Sequence, residues 1–210
     1  FRHAARWLKV RPHLYGNVLA LEDDLYALSY GGGINTLMTF ENGVAAEATY
    51  QYRQRDFKDS DERLQADERD GHEHHYRVRL SLPLPARFAL DFKPYAIRTD
   101  ADEAHLDNWS YTASGSLIKH YQPPFDWGHT FWRAWVRLDR VFRNFDDPDA
   151  AVSAVEARKD RRWVVSAGNV SNIAQNLDLN LQYSFYEQTS NFQQYEYTNH
   201  AGTVSLSYTF

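Results

Sequence analysis

The chain has 210 residues, enough for one domain, and carries a net charge of -5 with a pI near 6.0, so nothing points to nucleic acid. It holds no cysteine, which excludes disulfides. It has no apolar run of about 18 residues, which excludes a transmembrane helix but not strands, which span with about 9–11 alternating residues.

The runs of period two follow one another along the chain. Leu8, Val10, Pro12, Leu14, Gly16 and Val18 share one face of the first. A looser second run carries Tyr26, Leu28, Tyr30, Gly32, Ile34, Thr36, Met38 and Phe40. Val44, Ala46, Ala48, Tyr50 and Tyr52 alternate with Glu47, Thr49, Gln51 and Arg53. Tyr76, Val78, Leu80 and Leu82 alternate with Arg77, Arg79 and Ser81. Phe88, Leu90, Phe92, Pro94 and Ala96 alternate with Ala89, Asp91, Lys93 and Tyr95. Trp109 to Ile118 follows, then Trp132 to Asp139, in which Arg133, Arg137 and Asp139 oppose Trp132, Ala134, Val136 and Leu138. Arg162 to Ala167 and Leu177 to Tyr186 come next, the latter setting Leu177, Leu179, Leu181, Tyr183 and Phe185 against Asp178, Asn180, Gln182, Ser184 and Tyr186. Thr203 to Phe210 closes the chain in strict alternation. These runs predict an all-β fold of about ten strands. Pro12 and Pro94 suit central strands poorly, since proline cannot donate to a ladder.

Connections alternate in length. Glu41-Asn42-Gly43, Pro83 to Ala86, Gln122 to Asp126 and Ala174-Gln175 read as short turns. Lys58 to His74 and Asn144 to Lys159 read as long polar loops, with moderate ones at Thr99 to Asp107 and Gln188 to Glu196. The short first loop near Glu22 to Asp24 is the exception to this order. Short turns on one side and long loops on the other are the arrangement of outer-membrane barrels. With that topology Tyr26, Tyr50, Tyr52, Tyr76, Trp109, Tyr111, Trp163, Tyr183 and Phe185 fall at the outer ends of the apolar stripes. Phe40, Phe88, Tyr208 and Phe210 fall at the inner ends, which makes two aromatic girdles. A content of 15% aromatic residues at a mean hydropathy of -0.66 fits the same reading, since only alternate residues need face lipid. The expected architecture is an antiparallel up-and-down transmembrane β-barrel over residues 1–210, in the outer membrane of a Gram-negative cell. Phe1 is not an initiator Met and no signal peptide is visible, so a removed leader or a longer parent chain is expected.

The last strand, with Val204, Leu206, Tyr208 and terminal aromatic Phe210 at alternate positions, resembles the assembly signal of outer-membrane proteins. That resemblance implies the barrel assembly machinery as a partner, besides outer-membrane lipid and lipopolysaccharide. A longer stretch runs from Arg161-Arg162 through the turn at Ala174 to Asn176, then LNLQYSFYEQTSN, Tyr195 to Tyr197 and the final strand. It is similar to the C-terminal barrels attached to periplasmic tetratricopeptide domains, of which the surface lipoprotein assembly modulators are the best-known group. The similarity covers about the last 60 residues, and by strand rhythm the rest. It implies a transport, secretion or translocation component with a periplasmic or cargo protein as partner.

The polar stripe is heavily charged. Glu47, Arg53, Arg77, Arg79, Asp91, Lys93, Arg133, Arg137, Asp139, Arg162 and Asp178 should line the lumen. Charges at membrane depth need a wet or paired environment. They either close a narrow lumen as ion pairs or set the selectivity of a channel. His72, Glu73, His74 and His75 form the densest metal-like cluster. On a strand His72 and His74 would share one face. They lie beside a loop rich in Asp and Glu, where polar residues need no special role, so neither metal nor cofactor is assigned.

An enzyme is not expected. Asp23, Asp24, His105 and Asp107 could sit at an outer rim as in omptin-like proteases, but so could any polar loop residues. Neither His120 nor His129 has a Ser two positions on, as outer-membrane lipid hydrolases require. A closed structural or adhesion barrel that binds partners through its loops is the alternative to transport.

Overall fold

A computed structural model describes residues 5–21, 24–58, 67–123, 132–174 and 176–208. Within them the chain forms eleven strands and four single-turn 3-10 segments, with no α-helix. The strands are β1 (Ala5–Leu21), β2 (Asp24–Phe40), β3 (Ala45–Phe57), β4 (Gly71–Leu84), β5 (Phe88–Phe92) and β6 (Tyr95–Ala101). They continue with β7 (Asn108–Tyr121), β8 (Trp132–Phe145), β9 (Lys159–Ala174), β10 (Leu177–Ser190) and β11 (Tyr197–Tyr208). All lie in one antiparallel sheet in chain order, except that β5 and β6 both sit between β4 and β7.

The last point reconciles eleven strands with an expected ten. Phe92 opposes Leu80 and Gly115, and Tyr95 opposes Arg77 and Thr112. The three-residue step is the same on both neighbours, so β5 and β6 are one strand in unbroken register. It is divided at Pro94, which has no N–H to give. The surrounding ladder persists: Lys93 N–H donates to Ser114 O at 2.8 Å, and Val78 N–H to Pro94 O at 3.0 Å. Pro12 is accommodated differently, because β1 is an edge strand.

The sheet is inside-out compared with a water-soluble sandwich. Its buried apolar side chains among the described residues are Ala27, Val141 and Val164 alone. Thirteen polar or charged residues are buried, including Asp91, Ser110, Ser114, Ser116, Asp139, Ser166 and Ser184. All but Ser171, which opposes Leu179 on the other face, lie on one face. Val78, Leu90, Val136, Leu138, Val165 and Leu181 lie on the other and are exposed. A single sheet can bury one face with no second layer only by curling around it. A cavity of about 580 Å³ on that face is lined by residues from β4 through to β10, including Arg79, Asp91, Arg137, Ser166 and Tyr186. The polar face is therefore concave and the apolar face convex.

The described short turns have local causes. At Glu41 to Val44, Gly43 takes φ +81° and Asn42 Oδ1 accepts from Val44 N–H at 3.1 Å. Phe40 N–H donates to Val44 O at 2.9 Å, which closes the hairpin. Asn176 takes φ +62° between β9 and β10, a conformation asparagine tolerates better than most residues. Ala86 and Arg87 also have positive φ, 56° and 63°, at the β4–β5 turn.

Several strands run further than their apolar alternation. β4 begins at Gly71, so the loop expected over Lys58 to His74 is shorter and the histidine cluster belongs to a strand. β8 continues to Phe145 and β9 begins at Lys159, which trims the Asn144 to Lys159 loop at both ends. β10 reaches Ser190 and β6 reaches Ala101. Of the expected turns and loops, residues 22–23, 59–66, 124–131 and 175 lie outside the described residues, as does Phe210.

Among the described residues β1 pairs only with β2, and β11 only with β10. Both edge strands are widely exposed: Leu14 is 90% exposed on β1 and Val204 73% on β11. Among the described residues, no pairing of β1 with β11 closes the curled ribbon.

Candidate functional site

The concave face is the chemically distinctive surface. Period two and the pairing register decide which side chains reach it. Every lumen residue expected from the sequence falls on it: Glu47 and Arg53 on β3, Arg77 and Arg79 on β4, Asp91 on β5 with Lys93 just after it, Arg133, Arg137 and Asp139 on β8, Arg162 on β9 and Asp178 on β10.

Three carboxylates organise the cations. Asp91 is 2% exposed, and Ser81 Oγ donates to it at 2.6 Å. Arg79 Nη2 and Lys93 Nζ reach the same carboxylate from either side, at 2.8 and 3.1 Å. Arg137 Nε donates to Asp139 at 2.8 Å and to Ser114 Oγ at 3.1 Å. Glu73, nearly fully buried, receives Arg53, Arg55 Nη1 at 2.9 Å and His75 Nε2 at 2.8 Å. Elsewhere Asn35 Nδ2 donates to Glu47, Asn172 Nδ2 donates to Asp178 at 3.0 Å, and Arg162 Nη1 reaches Tyr197 Oη at 3.3 Å. Arg77 and Arg133 are exposed to the concavity and form no ion pair among the described residues.

Reading the sequence missed part of this surface. Glu73, Arg55, Arg143 and Asp160 all face inward, near the loop ends of their strands. The period-two signal continues through Arg53, Arg55 and Phe57, and through Asp139, Val141 and Arg143. The outward partners there are polar or mixed, so the apolar contrast that marks a strand fades. With these and the β1 residues Lys9 and Arg11, the concave face carries Lys9, Arg11, Arg53, Arg55, Arg77, Arg79, Lys93, Arg133, Arg137, Arg143 and Arg162. Among the described residues of the sheet, six anions stand against these eleven cations: Glu47, Glu73, Asp91, Asp139, Asp160 and Asp178. A chain of net charge -5 has thus turned a cationic surface inward. The Nε atoms of Arg55, Arg79, Arg143 and Arg162 are buried without an acceptor among the described residues.

The convex face carries an aromatic belt above its apolar band. Ring centroids lie 5.4 Å apart for Tyr50–Tyr76, 6.4 Å for Tyr76–Trp109 and 5.5 Å for Trp109–Tyr111. Arg140 lies 4.4 Å over Trp163, and Tyr183 Oη is 2.6 Å from His200 Nδ1. The expected terminal signal residues Val204, Leu206 and Tyr208 stand on this face, exposed.

Beyond the belt the long loops hold one another. Asp102 N–H donates to Asp70 O at 2.8 Å and Asp146 N–H to Asp107 O at 3.0 Å. Arg98 pairs with Asp100 at 2.6 Å and also with Asp146. Arg158 lies 4.0 Å over both Phe145 and Tyr195. Asp107, considered for a catalytic rim, instead receives Ala101 N–H at 2.6 Å. Asp23 lies outside the described residues. Burial, with the charges of Asp56 and Asp102 nearby, pushes the Asp70 carboxyl above its ordinary range although Phe57 N–H donates to it at 2.5 Å.

No family model, curated protein or solved structure matches this chain.

Proposed function

We propose that this chain forms the wall of an outer-membrane β-barrel that passes anionic solutes or cargo through a cationic lumen. The observation that carries the reading is the pairing of a convex apolar band, topped by aromatic rings, with a concave face on which the described residues of the sheet carry eleven cations against six anions. Lipid tolerates the first surface and not the second. Acidic loops and a basic lumen on one chain separate the two functions of solubility outside and selectivity inside.

The edges bear on the size of the pore. In hydrocarbon an unpaired strand edge costs several kcal/mol for each unsatisfied group, on the order of the general burial penalty. β1 and β11 therefore take further strands or each other when in the bilayer. Additional strands widen the lumen, which favours transport and agrees with the resemblance to lipoprotein assembly modulators. Joining β1 to β11 directly would leave a barrel that its side chains nearly fill. That second reading, a closed adhesion barrel, is favoured by the interlocked outer loops.

Planar-bilayer recording across a KCl gradient separates them. The transport reading predicts an open, chloride-preferring conductance, with the reversal potential shifted toward the cation side by Arg133→Glu with Arg137→Glu. Absence of conductance in protein shown to be folded and inserted would contradict it and leave the closed barrel.

A further inference from the structure

The histidines set aside in the sequence stand in an arrangement that assigns them a role. His72 and His74 are on β4, two residues apart, and their side chains lie on the convex face with Tyr76 and Val78. Asp100 on β6 directly opposes His72 in the register. The donor atoms of His72, His74 and Asp100 all lie within 4.8 Å of one another. His72 Nε2 and Asp100 Oδ2 are 3.5 Å apart. Ligands about 2.0–2.1 Å from a tetrahedral ion are about 3.3 Å from each other, so the His72–Asp100 pair already has close to the spacing, and His74, within 4.8 Å of both, would have to draw in. Glu73 and His75 are excluded, since both turn to the concave face, where they bond each other.

Surrounding groups hold these ligands in the required states. Arg98 Nε donates to Asp100 Oδ1 at 2.6 Å, which leaves Oδ2 free on the side of His72. Tyr50 Oη is 2.9 Å from His74 Nδ1, so the opposite nitrogen, Nε2, is the ligand atom. Polar partners behind Asp100 and His74 are what a metal site uses to fix tautomer and orientation. The Tyr52 ring lies 5.9 Å from that of His72 and 5.4 Å from that of His74, which limits the directions the imidazoles can take.

We propose that His72, His74 and Asp100 bind one divalent transition-metal ion of the zinc or copper class. Two imidazoles and a carboxylate suit such an ion, with a fourth position open toward the convex side for water. The site bridges β4 and β6 on the loop side of Pro94, where the divided strand lacks one ladder hydrogen bond. A bound ion ties the upper half of that strand to its neighbour, and binding therefore stabilises the folded state. The inference stands on geometry alone and does not depend on the membrane reading.

The test uses untagged, detergent-folded protein titrated with Co²⁺, read by its visible absorption, and with Zn²⁺ by calorimetry. One ion per chain at micromolar affinity or tighter is expected, with a higher melting temperature in Zn²⁺. His72→Ala and His74→Ala should each weaken binding by about 100-fold or more, and Tyr50→Phe by about tenfold, the usual loss for an outer partner. His105→Ala and His120→Ala should leave it unchanged. Should either site alanine fail to fold, Asp100→Asn gives the same reading with the side-chain shape kept, and about tenfold or more is expected. Absence of a cobalt band in folded protein would overturn the assignment, as would binding that survives His72→Ala and Asp100→Asn unchanged.

Discussion

At the scale of single residues, Asp91 carries the most. Its carboxylate is 2% exposed and answers Ser81, Arg79 and Lys93 together. Asp91→Ala leaves two cations and a hydroxyl without their acceptor. Both cations are partly exposed, so water recovers some of the loss, and destabilisation by about 1–3 kcal/mol is expected in urea titrations of the folded protein. Asp70 makes the opposite case in the outer loops. Its raised pKa means that the folded state prefers the protonated form. Ionisation therefore opposes folding of that loop. The penalty is absent below the ordinary carboxylate pKa and grows as pH rises toward the raised folded value. Asp70→Asn keeps an acceptor for Phe57 N–H and removes the charge. At pH 7 it should slow proteolysis between β3 and β4, and the difference from the parent should vanish near pH 4, about the ordinary value for Asp. Faster cleavage of the variant at pH 7 would contradict this.

At the scale of strands, side-chain direction decides which substitutions are tolerated. Leu181 faces outward, 43% exposed, in the middle of the β10 apolar stripe. Leu181→Arg should cost about 2–4 kcal/mol in liposome unfolding, the range for arginine at the midplane of a barrel. Gly168 is opposite Trp135 across β8 and β9, and a Cβ there would sit 2.5 Å from Trp135 Cζ2. The indole takes the space a side chain would need. Gly168→Ala should destabilise by about 1–3 kcal/mol, the usual cost of overpacking, and change the tryptophan emission. The middle of each strand was legible because Leu177 to Phe185, or Trp132 to Leu138, alternates apolar with polar residues. The ends were not. From Gly71 to His75 and from Phe142 to Phe145 the strand leaves the apolar band, and both faces carry polar or mixed residues. Burial contrast then vanishes from the sequence although the hydrogen-bond ladder continues. For that reason Glu73, buried and inward, read as part of a loop. The site of His72 with Asp100 was illegible for another reason: its third ligand comes from a strand whose register only the fold supplies.

At the scale of the whole molecule, the decisive property is the inversion of the sheet: small polar and charged groups within the curl, large apolar groups outside. In water this convex face would expose a contiguous apolar band, which monomers rarely carry at large size. On the proposed membrane reading, immersion in lipid would account for the band, the belt of rings above it and the burial of Ser114 and Ser184 without an apolar core. The most direct test places nitroxide labels singly at Leu179, Asn180, Leu181 and Gln182 of protein reconstituted in liposomes, and measures collision with oxygen and with a water-soluble nickel chelate. A period of two is expected: Leu179 and Leu181 reached by oxygen and shielded from nickel, Asn180 and Gln182 the reverse. Equal access of the nickel chelate to all four positions would contradict it.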